Sequence, residues 1–211
     1  MTVAVITTCH TYEAFLPGWV ESVEGLVRQP DEVVIACTNP DTVSEAISDT
    51  LINVRLVPMQ EPFSLAKYVN AAVSATDSEF VAWIGADDRY RPHALTVDYG
   101  ADVIGFGMQW QYGGAWIPSV ESREKILKVS GNPVPCGSLF RRSLWEAIPF
   151  QESLSPFEDW GFWVGCAWQG ARFSVTGRVD YDYGQHPSQI QPPTEPTRSI
   201  IFDWVQSLGA D

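Results

Sequence analysis

The sequence has few basic residues. Lysine and arginine number 13 against 26 aspartates and glutamates, which gives a formal net charge of −13. Because an acidic protein repels polyanions, this balance argues against binding of nucleic acid or of an anionic membrane surface. An anionic ligand would have to be held locally, for instance through a metal ion.

Paired cysteines and long apolar runs are also lacking. Cys9, Cys37, Cys136 and Cys166 are widely spaced and form no CxxC pair, which argues against a zinc cluster and a disulfide scaffold. No apolar run reaches the roughly 18 to 20 residues of a membrane span, and the N-terminus lacks the basic region of a signal peptide. We expect a soluble, unprocessed, cytoplasmic protein. A chain of 211 residues is short for two cores, so we expect one domain.

The first half of the chain alternates between strand and helix patterns. Continuous β-branched and apolar runs predict strands at residues 3–8, 32–37, 53–57 and 79–85. Apolar residues at helical spacing predict helices at about residues 12–27, 41–49 and 64–75, the last capped by Ser64. This order predicts a largely parallel sheet with helices on both sides.

The second half is less regular. The sequence predicts a hairpin around Gly113 and Gly114, a strand within residues 136–142, and a helix within 159–169 that Gly170 closes. It further predicts two strands within residues 171–184, a proline-rich connector over 187–199 and a closing helix at about 199–208.

Two adjacent carboxylates, Asp87 and Asp88, follow the strand in "FVAWIGADDRYRP". In open α/β sheets ligands bind at the carboxyl ends of strands, and two neighbouring acids repel each other unless a cation or hydrogen-bond donors are present. One interpretation is a turn cap before Pro92 beside a solvated acid. The other is a magnesium or manganese site, completed by substrate phosphates.

Five blocks of the sequence carry a family resemblance. They are "VAVITTCHT", "SLAKYVNAAVSATDSEFVAWIGADDRYRPHAL", "PCGSLFRRSLWEAI", "FEDWGFWVGCAWQGARF" and "HPSQI". In this order and spacing the chain resembles the family-two glycosyltransferases with the GT-A fold. The resemblance implies an α/β fold with a mostly parallel central sheet, flanking helices and a small additional sheet. It also implies one domain over residues 1–211, with the donor nucleotide bound by about 1–98 and the acceptor by about 99–211, which include the C-terminal helix.

The resemblance also implies roles for individual residues. Asp87 matches the last acid of the family's DxD metal motif, with Asp88 beside it, and His186 matches a late histidine that binds metal in some relatives. The expected cofactor is Mn²⁺ or Mg²⁺. Asp159 matches the acid that acts as base, and Glu158 is the next candidate.

Further residues are expected around the two substrates. The donor-binding candidates are Thr7, Thr8, His10, Thr38, Asn70 and Ala86, and the acceptor-side candidates are Trp110, Trp160 and Gly137. Two departures from the family pattern concern the donor. Gly85 stands in place of the first acid of the DxD, and "ACTNPD" stands where the family often has "VDDGS".

Structural interpretations remain open for several of these residues. Asp159 could be a helix N-cap, His186 could be an ordinary surface histidine, and Asn70 could be an exposed polar residue. Thr7 and Thr8 could belong to an ordinary strand end. The tryptophans could stack on sugars or simply pack the core.

The resulting hypothesis is a metal-dependent, inverting transfer of a sugar from a nucleotide-diphosphate donor to a hydroxyl of a glycan, lipid, protein or small molecule. One alternative is a catalytically degenerate relative that only binds nucleotide sugars. A sugar nucleotidyltransferase is less favoured, because its basic glycine-rich loop is missing after the first strand, where the first basic residue is Arg28. A glycosidase would also use two carboxylates but needs no nucleotide.

Overall fold

The computed structural model describes residues 1–129, 131–187 and 198–209. The strands are β1 (Val3–Cys9), β2 (Glu32–Cys37), β3 (Val54–Pro58), β4 (Phe80–Trp83), β5 (Arg89–Tyr90), β6 (Val103–Trp110), β7 (Ala115–Trp116), β8 (Leu139–Arg141) and β9 (Phe173–Tyr183). The α-helices are α1 (Leu16–Glu24), α2 (Pro40–Ala46), α3 (Leu65–Ser74), α4 (Arg123–Leu127), α5 (Arg142–Ala147), α6 (Glu158–Trp168) and α7 (Arg198–Ser207). Two short 3₁₀ turns cover Glu13–Phe15 and Glu152–Leu154.

The strands form a single sheet in the order β3-β2-β1-β4-β8-β6-β9-β5, with β7 paired to β6. Strands β1 to β4 are parallel, as the alternation of strands and helices predicts. β8 runs antiparallel to β4 and β6, whereas β6 and β9 are parallel to each other. The sheet is therefore mostly parallel in its first half and mixed in its second.

Two details of the second half differ from the sequence-based expectation. The short strands β5 and β7 extend the main sheet, so the described residues form no separate small sheet. The two strands expected within residues 171–184 are one strand, β9, whose pairing with β6 shifts register twice. Gly177 within it has a φ of +70°. Such a bulge bends a strand without ending it. In the sequence, the glycine at the bulge therefore predicts a turn between two strands.

The sheet is covered on both faces. Along β1, Val3 and Val5 pack into one core cluster together with Trp19 of α1. Ala4 and Ile6 pack into a second cluster, which includes α3 and part of α6. This is why β1 reads as a continuous apolar run, since each of its faces meets a different helix layer.

Helices α6 and α7 lie together at one side of the sheet. Trp160 and Val164 pack with Ile201 and Val205 in a third cluster. α6 ends one residue before Gln169, and Gly170 follows with a φ of +83°, so a glycine closes the helix as predicted. The closing helix is also found, at Arg198–Ser207. Most of the connector predicted over residues 187–199 lies outside the described residues.

Among the described residues, none of the helices combines the length and the apolar character of a membrane span.

Gly107 is a point where β6 and β9 come unusually close. A Cβ atom at this position would overlap the carbonyl oxygen of Arg178, which is backbone and cannot swing away. Gly107→Ala should therefore lower the free energy of unfolding by about 1–3 kcal/mol, the range for overpacked positions. Urea denaturation measures it. Gly114→Ala is the control, because a Cβ there meets no atom within 4 Å. Equal urea midpoints for the two variants would contradict this account of the β6–β9 pairing.

Candidate active site

A cavity of about 520 Å³ opens at the carboxyl ends of the parallel strands. Segments that are distant in the sequence form its wall, namely the loops after β1 and β4, the ends of β6 and β9 and the start of α6. Of the predicted site residues, those that line it are Thr8, His10, Ala86, Asp87, Asp88, Trp110, Glu158 and Asp159. The fold thus collects the metal, donor and base candidates around one space.

Asp87 and His186 form a pair at the edge of this cavity. His186 Nε2 lies 3.0 Å from Asp87 Oδ2, although the residues are 99 positions apart in the chain. The imidazole ring also packs against Phe15, with ring centroids 4.5 Å apart, and meets the edge of Tyr12 at 5.1 Å. His186 is thus fixed beside the carboxylate by contacts with two aromatic rings, unlike an ordinary surface histidine.

Asp88 has a different environment from its neighbour. Its side chain is buried, and its Oδ1 accepts a hydrogen bond of 2.8 Å from the Gly184 N–H. Burial first, and then the negative charge of Asp87, raise the pKa of Asp88 well above its ordinary value. Asp88 thereby joins the loop after β4 to the end of β9, and Asp87 remains as the carboxylate beside His186.

The residues present fit a divalent cation that is shared with a substrate. Within the described part of the chain, no group of three or more acidic, histidine or cysteine side chains could hold a metal ion alone. Asp87 and His186 would supply two ligands, and magnesium or manganese commonly takes the rest from substrate phosphates and water. A Cβ at Gly85 would lie 2.7 Å from Asp87 Oδ1, so a larger residue at that position would require the Asp87 carboxylate to move.

Asp159 and Glu158 occupy the first turn of α6. The N-cap of this helix is Phe157, without a side-chain cap, so the N-cap interpretation of Asp159 does not hold. Asp159 Oδ2 accepts a hydrogen bond of 2.8 Å from Asn132 Nδ2. Burial raises the pKa of Asp159, although the bond from Asn132 acts in the opposite direction.

Glu158 is an even more deeply buried acid. Its side chain is 1% exposed, and its Oε1 atom has no hydrogen-bond partner among the described residues. Burial raises the pKa of Glu158 as well. The cavity thus contains two adjacent carboxyl groups; Asn132 orients that of Asp159, and a hydrogen bond with the Ser155 side chain acts on that of Glu158.

The loop after β1 shapes the opposite end of the cavity. The rings of His10 and Phe63 stack at 4.6 Å with an interplanar angle of 15°. His10 Nδ1 lies 3.0 Å from Thr38 Oγ1, which in turn lies 2.9 Å from the hydroxyl of Tyr68. Thr38 is therefore behind His10 and does not line the cavity. Thr7 is buried outside the cavity, and its hydroxyl lacks a partner among the described residues.

Asn70 lies away from the cavity and holds two chain segments together. Its Oδ1 accepts hydrogen bonds from Trp145 Nε1 at 2.7 Å and from the Phe150 N–H at 3.0 Å. Its Nδ2 donates to the Phe150 carbonyl at 2.9 Å. Most of its hydrogen-bonding capacity is used to tie α3 to α5 and to the segment after it, which differs from both interpretations of this residue.

The acceptor-side candidates are divided. Trp110 lines the cavity together with Trp116. Trp160 is packed in the cluster with α7, because α6 is buried on almost every side. Gly137 lies behind the wall, since a Cβ there would be 2.8 Å from the ring of Tyr181.

Several lining residues carry no signal that sequence reasoning used. They include Phe63, Trp83, Asn132, Cys136 and Tyr181. Asn132 lies in an irregular segment with no periodicity, so nothing in the sequence relates it to Asp159. The packing of Phe63 could have been predicted, because an apolar residue directly before an N-cap serine often packs against the first turns of the helix.

Comparison with known proteins gives one family match. Residues 4–97 match the model described as Glycosyl transferase family 2. A search of curated proteins finds no match.

Solved structures with the same fold include three glycosyl-transfer proteins. S. aureus TarS 1–349 in complex with UDP-GlcNAc has a TM-score of 0.72 at 19% identity, over 99% of this chain and 65% of that chain. A mannosyltransferase from Pyrobaculum calidifontis in complex with GDP-Man and Mn²⁺ has a TM-score of 0.67 at 16% identity, over 88% and 57%. Glucosyl-3-phosphoglycerate synthase from Mycobacterium tuberculosis, with Mn²⁺, UDP and glucosyl-3-phosphoglycerate, has a TM-score of 0.60 at 15% identity, over 99% and 75%.

These identities establish likeness of fold. The chain spans less than two thirds of the length of S. aureus TarS 1–349 and of the P. calidifontis mannosyltransferase. What those proteins bind is thus a property of longer chains.

Asn70 permits a direct test of its place in the molecule. Asn70→Ala should lower the free energy of unfolding by about 2 kcal/mol or more, since it leaves Trp145 and the Phe150 backbone without their partners. The affinity of the folded protein for a nucleoside diphosphate should stay unchanged. Chemical denaturation and calorimetry measure the two quantities. Ser74→Ala, an exposed change on the same helix, is the control. A weaker nucleotide affinity with normal stability would return Asn70 to the donor site.

Proposed function

We propose that the chain is a family-2-like glycosyltransferase with the GT-A fold and that it transfers a sugar from a nucleotide-diphosphate donor to an acceptor hydroxyl with inversion at the anomeric carbon. The supporting observation is that Asp87, Asp159 and Asn132 line one cavity, at whose edge His186 lies beside Asp87. We assign the activity to a single domain over residues 1–211, with donor binding in about 1–98.

The donor would lie along the carboxyl ends of the parallel strands. Its base would meet the loop after β1, where Thr8, His10 and the stacked Phe63 line the cavity. Ala86 directly precedes Asp87 in the cavity wall, so the diphosphate would pass close to it. The half-buried rings of His10 and Phe63 favour a flat heterocyclic ring, because apolar contact and stacking both increase with overlap.

Asp87 and His186 would hold the cofactor, a divalent Mn²⁺ or Mg²⁺. Such a cation, when bound, neutralises the negative charge that develops on the diphosphate as it leaves. The relatives from P. calidifontis and M. tuberculosis are described as complexes with Mn²⁺. The acidity of the chain supports a cation at this site, since its own net charge of −13 repels a diphosphate.

Asp159 would act as the general base. It would accept the proton of the acceptor hydroxyl as that oxygen attacks the anomeric carbon from the side opposite the diphosphate. Two features suit it to this role. Burial raises its pKa toward the working pH, which strengthens it as a base, and Asn132 fixes the orientation of the carboxylate.

The acceptor would enter past the aromatic side of the cavity. Trp110, Trp116 and Tyr183 line this part together with Met108. These side chains form a surface with little charge, on which an acceptor could lie while its hydroxyl reaches Asp159. The proposal leaves the acceptor as the hydroxyl of a glycan, a lipid, a protein or a small molecule.

The metal role predicts cation-dependent nucleotide binding. UDP and GDP, each with Mn²⁺, should be tested by thermal shift and calorimetry, and the one that binds should stabilise the protein by about 2.7 kcal/mol at 100 times its dissociation constant. EDTA should abolish the effect. Asp87→Ala should weaken binding, and His186→Ala should raise the Mn²⁺ concentration needed for half-saturation.

The matched control for the Asp87 variant is Asp77→Ala. It removes one exposed acid from the turn before β4, at the other end of the strand. Undiminished nucleotide binding in EDTA would refute the metal role, whatever the variants do.

Asp159→Asn and Glu158→Gln together identify the base. Asparagine keeps an oxygen that accepts from Asn132 but takes no proton at neutral pH, so Asp159→Asn should reduce sugar transfer by about 10²-fold or more. Because the change removes a partly buried acid whose ionised form is disfavoured, stability near neutral pH should not fall. Glu158→Gln should keep most of the transfer activity.

The pH dependence provides a second readout for the same residue. The base works only when ionised, so wild-type transfer should fall as pH drops through the raised pKa of Asp159. If Glu158→Gln is the inactive variant instead, Glu158 is the base. If both variants bind nucleotide and wild-type protein transfers to no acceptor, the chain is a nucleotide-sugar-binding protein without turnover.

A further inference from the structure

Arg89 follows the carboxylate pair directly and turns its side chain back onto the same loop. Its Nη1 donates to the Ala86 carbonyl at 3.1 Å and to the Asp88 carbonyl at 2.6 Å. Its Nη2 donates to the Phe15 carbonyl at 2.9 Å. One guanidinium therefore joins the backbone on either side of Asp87 to the start of α1.

Phe15 connects this arrangement to His186. It is the N-cap residue of α1, and its ring packs on the His186 imidazole with centroids 4.5 Å apart. The imidazole in turn lies 3.0 Å from the Asp87 carboxylate. The contacts close a ring that runs from Arg89 through Phe15, His186 and Asp87 back to the loop that Arg89 holds.

Gly18 provides independent support for a precise place for the guanidinium. It lies inside α1, where glycine is a poor helix former compared with alanine. A Cβ at this position would lie 2.7 Å from both Nε and Nη2 of Arg89 and 3.0 Å from Cζ. The helix surface next to Arg89 is thus free of a side chain where the guanidinium packs.

The planar guanidinium of Arg89 also suits this place, because its donors meet three backbone carbonyls. An arginine can donate to three carbonyls and keep its charge, whereas a lysine ammonium is a single compact donor group without this planar fork.

We propose that Arg89 is a positioning residue for the cation site, which it holds together by fixing the Asp87 loop and, through Phe15, the His186 ring. The proposal rests on the proposed metal role of Asp87 and His186. It adds that the geometry of this pair depends on a guanidinium outside the ligand set and on the space at Gly18.

The test compares Arg89→Met with wild-type protein by two measurements. The first is a Mn²⁺ titration followed by electron paramagnetic resonance, in parallel series with UDP and with GDP. Loss of a residue that orients metal ligands typically weakens metal affinity by 10–100-fold, so we expect at least about tenfold. The second is the ¹⁵N NMR signal of the His186 ring in metal-free protein, which should change because the contact with Asp87 loosens.

Gly18→Ala tests the same contact from the other side. Alanine should strengthen the helix and displace the guanidinium, so Mn²⁺ affinity should fall by several fold while unfolding stability does not fall in proportion. In the Arg89→Met background the same change should have little further effect on Mn²⁺ affinity, since the group that it displaces is gone. If Arg89→Met does not fold, the Mn²⁺ affinity and the His186 ring signal of the single variant Gly18→Ala decide the question.

Arg91→Met is the matched control. Arg91 is two residues further along and pairs with Asp182 at 2.7 Å, so the control removes a neighbouring arginine without touching the Asp87 loop. It should leave both measurements as in wild type. Mn²⁺ affinity within twofold of wild type in Arg89→Met, together with an unchanged His186 signal, would overturn the proposal.

The two levels of inference fail differently. If wild-type protein binds no Mn²⁺ with either nucleotide, the metal role fails, and an altered His186 signal in Arg89→Met still supports the positioning role. If wild-type protein binds Mn²⁺ and Arg89→Met binds it equally well, with the His186 signal unchanged, the positioning role fails alone.

Discussion

The arrangement of the site depends on one hydrogen bond, from the Gly184 N–H to the buried carboxylate of Asp88. It joins the loop after β4 to the end of β9, at a point where a Cβ on residue 184 would overlap the Asp87 carbonyl oxygen. Because this approach is so close, His186 two residues later lies beside Asp87. A buried acid that keeps a backbone donor thus brings together two segments almost a hundred residues apart.

Much of the fold could be predicted because its local signals and its packing agree. β1, β2 and β4 are mostly apolar and almost entirely buried, which is what a strand between two helix layers requires. Ser64 does cap α3, since its hydroxyl accepts from the Lys67 N–H. The place of Asp87 in the cavity wall was predictable for a similar reason, because ligand sites form where parallel strands end, and that rule needs only the position of a strand. β9 was divided in two because a bulge at a glycine resembles a turn.

The rest of the site depends on contacts between segments that are distant in the chain. Nothing in the sequence of either segment indicates that the two meet. Asn132 donates a hydrogen bond to Asp159 from an irregular loop, and the Asn70 amide donates one to the backbone carbonyl of Phe150. Trp160 shows the same limit, since a tryptophan in the first turn of a helix can face a cavity or a neighbouring helix. Only the position of α7, which covers that side of α6, decides that it packs in the core.

The hydrogen-bonded series His10, Thr38 and Tyr68 has a consequence for the choice of nucleobase. A neutral imidazole carries one proton, so a Thr38 hydroxyl that donates to Nδ1 leaves the proton on Nε2, whereas one that accepts leaves Nε2 with a lone pair. Glu61 Oε1 lies 3.4 Å from the same Nδ1, and a carboxylate there favours the proton on Nδ1. The Tyr68 hydroxyl on α3 and the Glu61 carboxylate therefore both bias the polarity of the His10 ring at the cavity. On the proposed placement of the donor, discrimination between bases with opposite donor and acceptor edges would then depend in part on a tyrosine outside the cavity lining.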